Sequence, residues 1–262
     1  MALSAAAPSE ICVSKIPVLL NPVFIADLHL SNDKPATKEA FLKFLKTDAA
    51  RFSELVILGD LFEFWAGDDM AEQYVDVISA LKQYFSDGHR IYLMHGNRDF
   101  LLGADFAASI GAQILCDPIT VQIGREKVLL SHGDAWCTLD HDYQQFRSTL
   151  RDPAVQKQIL KEELKYRVEL ANGLRSQSKA DNQKKDAAYM DVVVSEVAKS
   201  LRSAGCKVVI HGHTHKPAHH THVNEDSRFD RWVLPDWDFE NGNQRGGYLS
   251  FENNYIHFGH LS

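Results

Sequence analysis

The feature that most constrains this chain is a series of five apolar runs, each followed directly or after one residue by a short polar segment. The runs are continuously apolar and rich in β-branched residues, which is typical of strands buried on both faces. They cover residues 23–26, 55–58, 91–94, 128–130 and 208–210. The polar segments after them are Asp27-Leu28-His29, Gly59-Asp60, Gly96-Asn97-Arg98-Asp99, His132-Gly133-Asp134 and His211-Gly212-His213-Thr214-His215.

These polar segments carry the side chains that a metal centre needs. Ligands of open α/β sheets bind where the strands end, so five strands in one sheet would collect His, Asp and Asn at one edge. In Asp27-x-His29 and His213-x-His215, extended backbone would point both side chains the same way. Asp60 follows a glycine that permits a tight turn, and its carboxylate can bridge two cations.

The predicted ligands favour a two-metal hydrolase. Carboxylate, amide and imidazole ligands together suit Mn²⁺, Fe or Zn²⁺ rather than Ca²⁺, and the lack of cysteine in the polar segments argues against structural zinc. Two ions about 3.5–4 Å apart activate a water and neutralise a phosphoryl group. The chain has no GxSxG or GxxxxGK[ST] motif, so acyl-serine and P-loop mechanisms lack their markers. One such His alone is more often structural, but five segments in this order indicate catalysis.

Length and composition exclude several classes of protein. At 262 residues, one domain with an insertion is expected. The formal net charge of −7 argues against a nucleic-acid partner held by a general basic surface. The sequence has neither an apolar run of about 18 residues nor a signal-peptide pattern, so a cytoplasmic protein is expected. The four cysteines, Cys12, Cys116, Cys137 and Cys206, form no CxxC pair and are expected to be mostly buried free thiols.

Periodicity predicts the order of helices and strands. Residues 1–15 are expected to form a flexible N-terminal extension, and residues 16–262 one domain. Helices are predicted over residues 37–48, 71–85 and 100–110, and an edge strand over residues 119–123. Strands over residues 231–234, 248–251 and 255–258 would close the chain, with a turn at Asn253-Asn254.

A helical insertion is predicted over about residues 138–202, between the fourth and fifth strands. Apolar residues recur there at helical spacing, namely Ile159, Leu160, Leu164, Val168 and Ala171. Residues 147–185 hold more Lys and Arg than Asp and Glu. An apolar stripe with positive charge would suit a diacyl lipid and an anionic membrane surface. The alternative is an ordinary solvated helix pair that caps the sheet.

Together the polar segments resemble the motifs of the calcineurin-like metallophosphoesterase superfamily, over about residues 23–217. The resemblance implies an α/β (α+β) fold, a β-sandwich flanked by helices with a dinuclear centre at the strand ends, here with a helical insertion or lid. It implies that one ion is held by Asp27, His29, Asp60 and His215. It implies that the other is held by Asp60, Asn97, His132 and His213.

Two positions depart from the usual pattern of that superfamily. Arg98 stands where the superfamily usually has the His of Gly-Asn-His-Asp. An arginine cannot act as a general acid near neutral pH, but it binds phosphate oxygens in bidentate fashion. Glu63 stands where many relatives carry Asp.

Longer strings resemble a narrower family, the UDP-2,3-diacylglucosamine pyrophosphohydrolases of lipid A biosynthesis. The strings are residues 61–69 and 95–103, and His132-Gly133-Asp134 followed by Tyr143-Gln144-x-Phe146-Arg147. This resemblance implies cleavage of UDP-2,3-diacylglucosamine to UMP and 2,3-diacylglucosamine 1-phosphate (lipid X). It also implies two Mn²⁺ ions per chain and a peripheral location on the cytoplasmic face of the inner membrane. A monomer is expected.

The family also implies roles for individual residues. Catalytic roles are expected for Asp60, Asn97, Arg98, His132 and His213. Substrate contacts are expected from Asn97, Arg98, Asp140 and His213, and from Ser178, Asn182 and Lys185 in the insertion. The contacts from the insertion rest on weaker local similarity than the metal ligands.

Two other functions stay open on the sequence alone. One is a metallophosphoesterase with a non-lipid substrate, such as a phosphodiesterase, a protein phosphatase or a nucleotide-sugar pyrophosphatase. Arg98 and the insertion argue against a protein phosphatase, which needs an open site. The other is a non-catalytic metal-binding scaffold, although all seven predicted ligand positions hold a residue able to bind metal.

Overall fold

The computed structural model describes residues 7–11, 13–15, 18–182, 189, 191–223, 228–252 and 255–261, without the side chains of residues 175–182. The turn predicted at Asn253-Asn254 lies outside these residues. The described strands are β1 (Pro22–Ile25), β2 (Glu54–Leu58), β3 (Arg90–Met94), β4 (Ala112–Leu115), β5 (Ile119–Ile123), β6 (Glu126–Ser131), β7 (Val208–His211), β8 (Ala218–Val223), β9 (Arg228–Val233), β10 (Tyr248–Glu252) and β11 (Tyr255–Gly259). The described α-helices are α1 (Pro35–Lys46), α2 (Val75–Ser86), α3 (Ala104–Ser109), α4 (His141–Leu150), α5 (Pro153–Ile159), α6 (Leu164–Asn182) and α7 (Val194–Ala204).

The strands form two sheets rather than the single sheet considered from the sequence. One sheet has the order β11-β10-β1-β2-β3-β4, and the other has the order β5-β6-β7-β9-β8. The chain crosses from the first sheet to the second between β4 and β5. Of the five predicted strands, β1, β2 and β3 therefore lie in the first sheet, and β6 and β7 lie in the second. Continuous apolar runs show that a strand is buried on both faces, but they do not specify its neighbours.

The two sheets pack face to face with helices on their outer faces, which confirms the predicted sandwich. Phe24, Val56, Leu130 and Ile210 belong to one buried cluster between the sheets. A second cluster joins α1, α2 and α3 to the outer face of the first sheet, and a third joins α7 to the outer face of the second. Parallel pairs β1-β2, β2-β3 and β6-β7 point the carboxyl ends of all five strands in a common direction within each sheet.

The remaining predicted elements are confirmed with shifted limits. The helix predicted over residues 37–48 is α1, which begins two residues earlier at Pro35. The helix predicted over 71–85 is split into a short 3₁₀ helix, Asp68–Tyr74, and α2. The helix predicted over 100–110 is the shorter α3, and the edge strand is β5. The closing strands are β9, β10 and β11, whereas β4 and β8 had no prediction.

The predicted insertion contains helices with different roles. The chain passes from β6 to the parallel strand β7 through helices α4 to α7. In α7, the last of these helices, Val197 and Leu201 are buried against the second sheet. Most of the predicted apolar stripe, Ile159, Leu160, Leu164 and Val168, packs on the core of the first sheet. Most side chains of the stripe therefore pack against the protein core, as expected for helices that cap the sheet.

A buried arginine on α6 forms hydrogen bonds with the segment that follows β2. The side chain of Arg167 is 3% exposed. Its guanidinium donates to both carboxylate oxygens of Asp69 and to the carbonyl oxygen of Ala66, and its Nε donates to the carbonyl oxygen of Glu162 at 2.9 Å. These bonds give Ala66 and Asp69 a structural role, because they hold helix α6 against the core.

The N-terminal residues that the structure describes have specific contacts. Ala7 is buried, the Ser9 N–H donates to Gln156 Oε1 at 3.0 Å, and Glu10 forms an ion pair with Lys157. Residues 7–10 are thus attached to α5, which the sequence did not predict. None of the described helices has the length and apolar character needed to cross a bilayer.

The cysteines only partly follow the prediction. Cys137 and Cys206 are buried free thiols. Cys116 is disulfide-bonded, so the prediction of a free thiol was wrong for this residue, because distant residues can become neighbours on folding. Cys12 lies outside the described residues.

We expect Arg167→Ala to destabilise the protein by about 2–3 kcal/mol, because it leaves the Ala66 carbonyl oxygen without its buried donor and removes packing. Lys165→Ala, an exposed position on the same helix, is the control and should change stability by less than about 0.5 kcal/mol. The measurement is urea unfolding followed by circular dichroism. Equal unfolding midpoints for the two variants would contradict the anchoring role.

Candidate metal centre

The carboxyl ends of strands from both sheets meet at one edge of the sandwich. The N–H groups of Leu28 and His29 donate to the carbonyl oxygen of Asp60, at 2.9 and 3.0 Å, and join the loops after β1 and β2. The Gly212 N–H donates to the His132 carbonyl oxygen at 2.9 Å and joins the loops after β7 and β6. These bonds bring the polar segments predicted from the sequence together in space.

Five of the predicted ligands have a backbone conformation that residues with side chains rarely adopt. They are Asp27, His29, Asp60, His213 and His215, with φ between +49° and +68°. Only one other described non-glycine residue, Asn241, has positive φ. The expectation of extended backbone at Asp27-x-His29 and His213-x-His215 was therefore wrong. Such a conformation costs about 1–3 kcal/mol per residue and is concentrated at functional sites.

Asp27, His29 and His215 form one group of possible metal ligands. Their donor atoms lie within 4.8 Å of one another. His29 Nε2 is 3.3 Å from His215 Nε2, and His215 Nε2 is 3.6 Å from Asp27 Oδ1. Asp27 Oδ1 is buried and has no hydrogen-bond partner in the described part of the chain. A cation would satisfy this oxygen and both imidazole nitrogens.

Asp27, Asp60 and His132 form a second group, also with donor atoms within 4.8 Å. His132 Nδ1–H donates to the Leu58 carbonyl oxygen at 2.9 Å, which turns Nε2 toward the site. This Nε2 lies 3.8 Å from Asp60 Oδ2 and 3.0 Å from Asn97 Oδ1. A backbone partner of this kind fixes the orientation of a metal-binding imidazole.

All seven predicted ligand positions belong to one connected set of contacts. His213 Nδ1 lies 3.0 Å from Asn97 Oδ1, and the His213 N–H donates to Asp27 Oδ2 at 2.8 Å. His29 Nε2 lies 3.8 Å from Asp60 Oδ2. Asp27 belongs to both groups by distance, whereas the family resemblance gives the shared role to Asp60. The division of the ligands between two ions stays a prediction.

Several carboxyl groups are buried close together at this edge. Four carboxylates there are at most 2% exposed, those of Asp27, Asp60, Asp99 and Asp134. Burial, with repulsion from Asp99 and Asp27, raises the pKa of Asp60 to about 7. Burial opposes charge on His132, but Asp60 and Asp134 raise its pKa to about 9. The protein thus holds acidic groups whose charge a divalent cation would balance, and the oxygen and nitrogen donors fit such an ion.

The remaining imidazoles respond to burial and to their neighbours. Burial lowers the pKa of His213 to about 4 and places that of His29 well below its ordinary value. Burial also disfavours charge on His215, but its contact with Asp27 raises its pKa. Neutral imidazoles at His29 and His213 are the form that binds a metal ion.

Asp99 holds the loops after β2 and β3 together, a role that the sequence analysis missed. Its carboxylate accepts the N–H groups of Gly96 and Leu61 at 2.8 Å. It also accepts those of Asp60 and Phe62, at 3.3 and 3.4 Å. Asp99 lies within the third polar segment, so the only sequence signal for it was its position there.

Two further carboxylates lie beside predicted ligand imidazoles. Asp236 Oδ2 is 3.6 Å from His215 Nδ1 and accepts from Arg245 Nε at 2.9 Å. Glu63 Oε2 is 3.6 Å from His29 Nδ1. The sequence did not predict a role for Asp236, because this residue lies outside the five polar segments. It reaches the site because it follows β9, which pairs in parallel with β7.

The substrate-binding predictions fall into two parts. Arg98 is fixed by its backbone: its N–H donates to Asp60 Oδ1 at 2.8 Å, and its carbonyl oxygen accepts from the Trp65 N–H. Asp140 caps the start of α4 by accepting the Tyr143 N–H at 3.2 Å. Ser178 and Asn182 lie on α6, without described side chains, and Lys185 lies outside the described residues. Substrate contacts by these residues stay predictions.

We expect Gly96→Ala to weaken Mn²⁺ binding at least about tenfold, because an added Cβ would lie 2.0 Å from Asp60 Oδ1 and force the two loops apart. Gly173→Ala is the control, since a Cβ there would meet nothing within 4 Å. The measurement is calorimetric titration of the metal-free protein with Mn²⁺. Wild-type affinity in Gly96→Ala would contradict the proposed packing of the site.

Comparison with known proteins identifies the family. The model of the calcineurin-like phosphoesterase family matches residues 21–217. Among solved structures, a novel archaeal phosphodiesterase covers 92% of this chain and 99% of its own, with 14% identity and a TM-score of 0.46. A UDP-2,3-diacylglucosamine hydrolase of Chromohalobacter salexigens is 45% identical over 83% of this chain and 89% of its own. The enzyme of that name from Aromatoleum aromaticum is 46% identical over the same shares. From the family match and this identity, the chain belongs to the calcineurin-like phosphoesterases and, within them, to the UDP-2,3-diacylglucosamine hydrolases.

Proposed function

We propose that this protein hydrolyses the pyrophosphate bond of UDP-2,3-diacylglucosamine to UMP and 2,3-diacylglucosamine 1-phosphate (lipid X), in lipid A biosynthesis. The observation that carries the proposal is the set of seven clustered metal-binding positions in a chain 45% identical to a UDP-2,3-diacylglucosamine hydrolase. Arg98 at the same edge supplies a cationic group suited to phosphate oxygens.

The proposed cofactor is a pair of Mn²⁺ ions. Asp27, His29, Asp60 and His215 would hold one ion, and Asp60, Asn97, His132 and His213 the other. When bound, the ions lower the pKa of a water and neutralise phosphoryl charge. The chain itself orients the imidazoles: the Leu58 carbonyl fixes His132, while Glu63 and Asp236 face the outer nitrogens of His29 and His215.

Arg98 is proposed to bind the pyrophosphate. Its backbone bonds to Asp60 and Trp65 fix the position of its Cα, from which the guanidinium extends. A planar guanidinium donates two parallel hydrogen bonds to a phosphate group. Asn97 and His213 would lie beside the same phosphate, and Asp140, Ser178, Asn182 and Lys185 would contact the rest of the substrate.

We propose that the protein works at the membrane surface on the cytoplasmic face of the inner membrane, where a diacylated substrate resides. Several large apolar side chains of the insertion are exposed, namely Leu139, Phe146, Tyr166 and Leu170. The excess of Lys and Arg over residues 147–185 would attract anionic lipid headgroups. Since most of the predicted stripe is covered by the core, these exposed residues are the better candidates for lipid contact.

The experiment that tests the substrate is hydrolysis with Mn²⁺ of UDP-2,3-diacylglucosamine and of the same nucleotide sugar without acyl chains. We expect UMP release from the acylated compound only, because acyl-chain binding contributes to the rate. In ¹⁸O-labelled water, label in UMP or in the sugar phosphate identifies the phosphorus that is attacked. Equal rates on both compounds would assign the protein to a phosphoesterase of a non-lipid substrate.

We expect Asp60→Ala and His132→Ala to abolish UMP release while the protein stays folded, because each removes a ligand at the junction of the two sheets. Asp105→Ala, an exposed carboxylate on α3, is the matched control and should keep wild-type activity. A chelator should also abolish activity, and Mn²⁺ should restore it. Wild-type turnover by a purified Asp60→Ala protein would exclude the two-metal mechanism.

A further inference from the structure

One face of α4 is turned toward the candidate metal centre. Tyr143, Arg147 and Arg151 follow one another at four-residue spacing, so they lie along one side of the helix and its C-cap. All three are partly buried, whereas Gln145 and Ser148 on the other side are exposed. We call Tyr143, Arg147 and Arg151 the α4 support face.

Arg151 holds the segment that carries Asn97. Its Nη2 donates to the Gly96 carbonyl oxygen at 2.9 Å and to the His95 carbonyl oxygen at 3.3 Å. Its guanidinium also lies over the Phe100 ring, 5.9 Å from the centroid. The Gly96 carbonyl belongs to the same planar peptide unit as the Asn97 N–H, so Arg151 fixes the backbone orientation from which the Asn97 side chain extends.

Tyr143 and Arg147 hold the segment that carries His132. The Tyr143 hydroxyl donates to Asp134 Oδ2 at 2.6 Å, and Arg147 Nε donates to the same oxygen at 2.8 Å. Asp134 is fully buried and lies two residues after His132. The Tyr143 ring is also stacked on His213, with centroids 6.1 Å apart and an angle of 27°.

A second buried carboxylate extends this support to the residue before His132. Arg147 Nη2 lies 3.8 Å from Asp117 Oδ2. Asp117 Oδ1 accepts from the Ser131 hydroxyl at 2.6 Å, and the Ser131 hydroxyl oxygen accepts the Gly133 N–H at 3.1 Å. Ser131 and Gly133, the residues on either side of His132, therefore belong to one hydrogen-bond network with Asp117, and Arg147 contacts this network through Asp117.

We propose that α4 is a fixed support of the metal centre rather than a moving lid, and that Tyr143 and Arg151 are positioning residues for His132, His213 and Asn97. The inference rests on the proposed two-metal function. Its physical basis is that every side-chain hydrogen bond described for the support face ends on a group within two residues of a predicted ligand. Partners of this kind set ligand orientation, and their loss typically weakens metal binding about 10–100-fold.

The test is calorimetric titration of the metal-free protein with Mn²⁺, without substrate. Arg151→Gln, whose side chain is too short to reach both carbonyl oxygens, should weaken Mn²⁺ binding about tenfold or more. Arg151→Lys keeps a donor of similar reach and should restore most of the affinity. Tyr143→Phe removes only the hydrogen bond to Asp134 and should weaken Mn²⁺ binding about threefold or more.

Gln145→Ala, on the exposed side of the same helix, is the control and should bind Mn²⁺ like the wild type. A purely structural role for α4 predicts lower melting temperatures with wild-type Mn²⁺ affinity, and that result would overturn the proposal. If Arg151→Gln fails to fold, Tyr143→Phe decides by the same measurement. If the wild type binds Mn²⁺ but cleaves no UDP-diacylglucosamine, the proposed function fails, while the affinities of the variants still decide the positioning role.

Discussion

Buried negative charge at the strand ends is the constraint on which the rest of this structure depends. Removing a carboxylate from water costs several kcal/mol unless partners compensate it, and four carboxylates are buried together here. Asp99 is compensated by four backbone N–H groups, and Asp134 by Tyr143 and Arg147. Asp27 and Asp60 each accept one of the backbone N–H groups described above and otherwise face imidazoles. Asp27 keeps one oxygen without a hydrogen-bond partner among the described residues. A divalent cation bound between Asp27 and Asp60 would supply the positive charge that these two carboxylates lack.

The backbone around these carboxylates is shaped by the same requirement. An added Cβ on Gly96 or Gly212 would lie 2.0 Å from Asp60 Oδ1 or 2.4 Å from Asp27 Oδ2, so close approach of the loops depends on glycine. Five predicted ligands adopt left-handed conformations in these loops. Such strained residues persist only where the surroundings over-determine them, and the paired parallel strands beneath them provide that restraint.

The insertion contributes to the site in parts rather than as a unit. Helix α4 contacts the loops that carry the predicted ligands, α6 is fastened to the core by Arg167, and α7 is a crossover helix between β6 and β7. Helix α4 carries both the exposed Phe146, proposed to meet the lipid, and Tyr143 and Arg147, which contact the loop after β6. A substrate that binds against the insertion would therefore lie close to the loops of Asn97 and His132, whose positions are fixed by contacts with α4.

The sequence by itself determined the buried strands, the polar segments that follow them, the metal-binding residue types and the resemblance to the family. These features follow from local hydrophobic patterning and short motifs, so Asp27, His132 and His215 were identified before the fold. Only the tertiary structure decided that the strands divide between two sheets, that the apolar stripe of the insertion largely packs on the core, and that Asp236 and Arg151 adjoin the site. Those outcomes depend on contacts between residues far apart in the chain, and no local pattern of residues specifies such contacts.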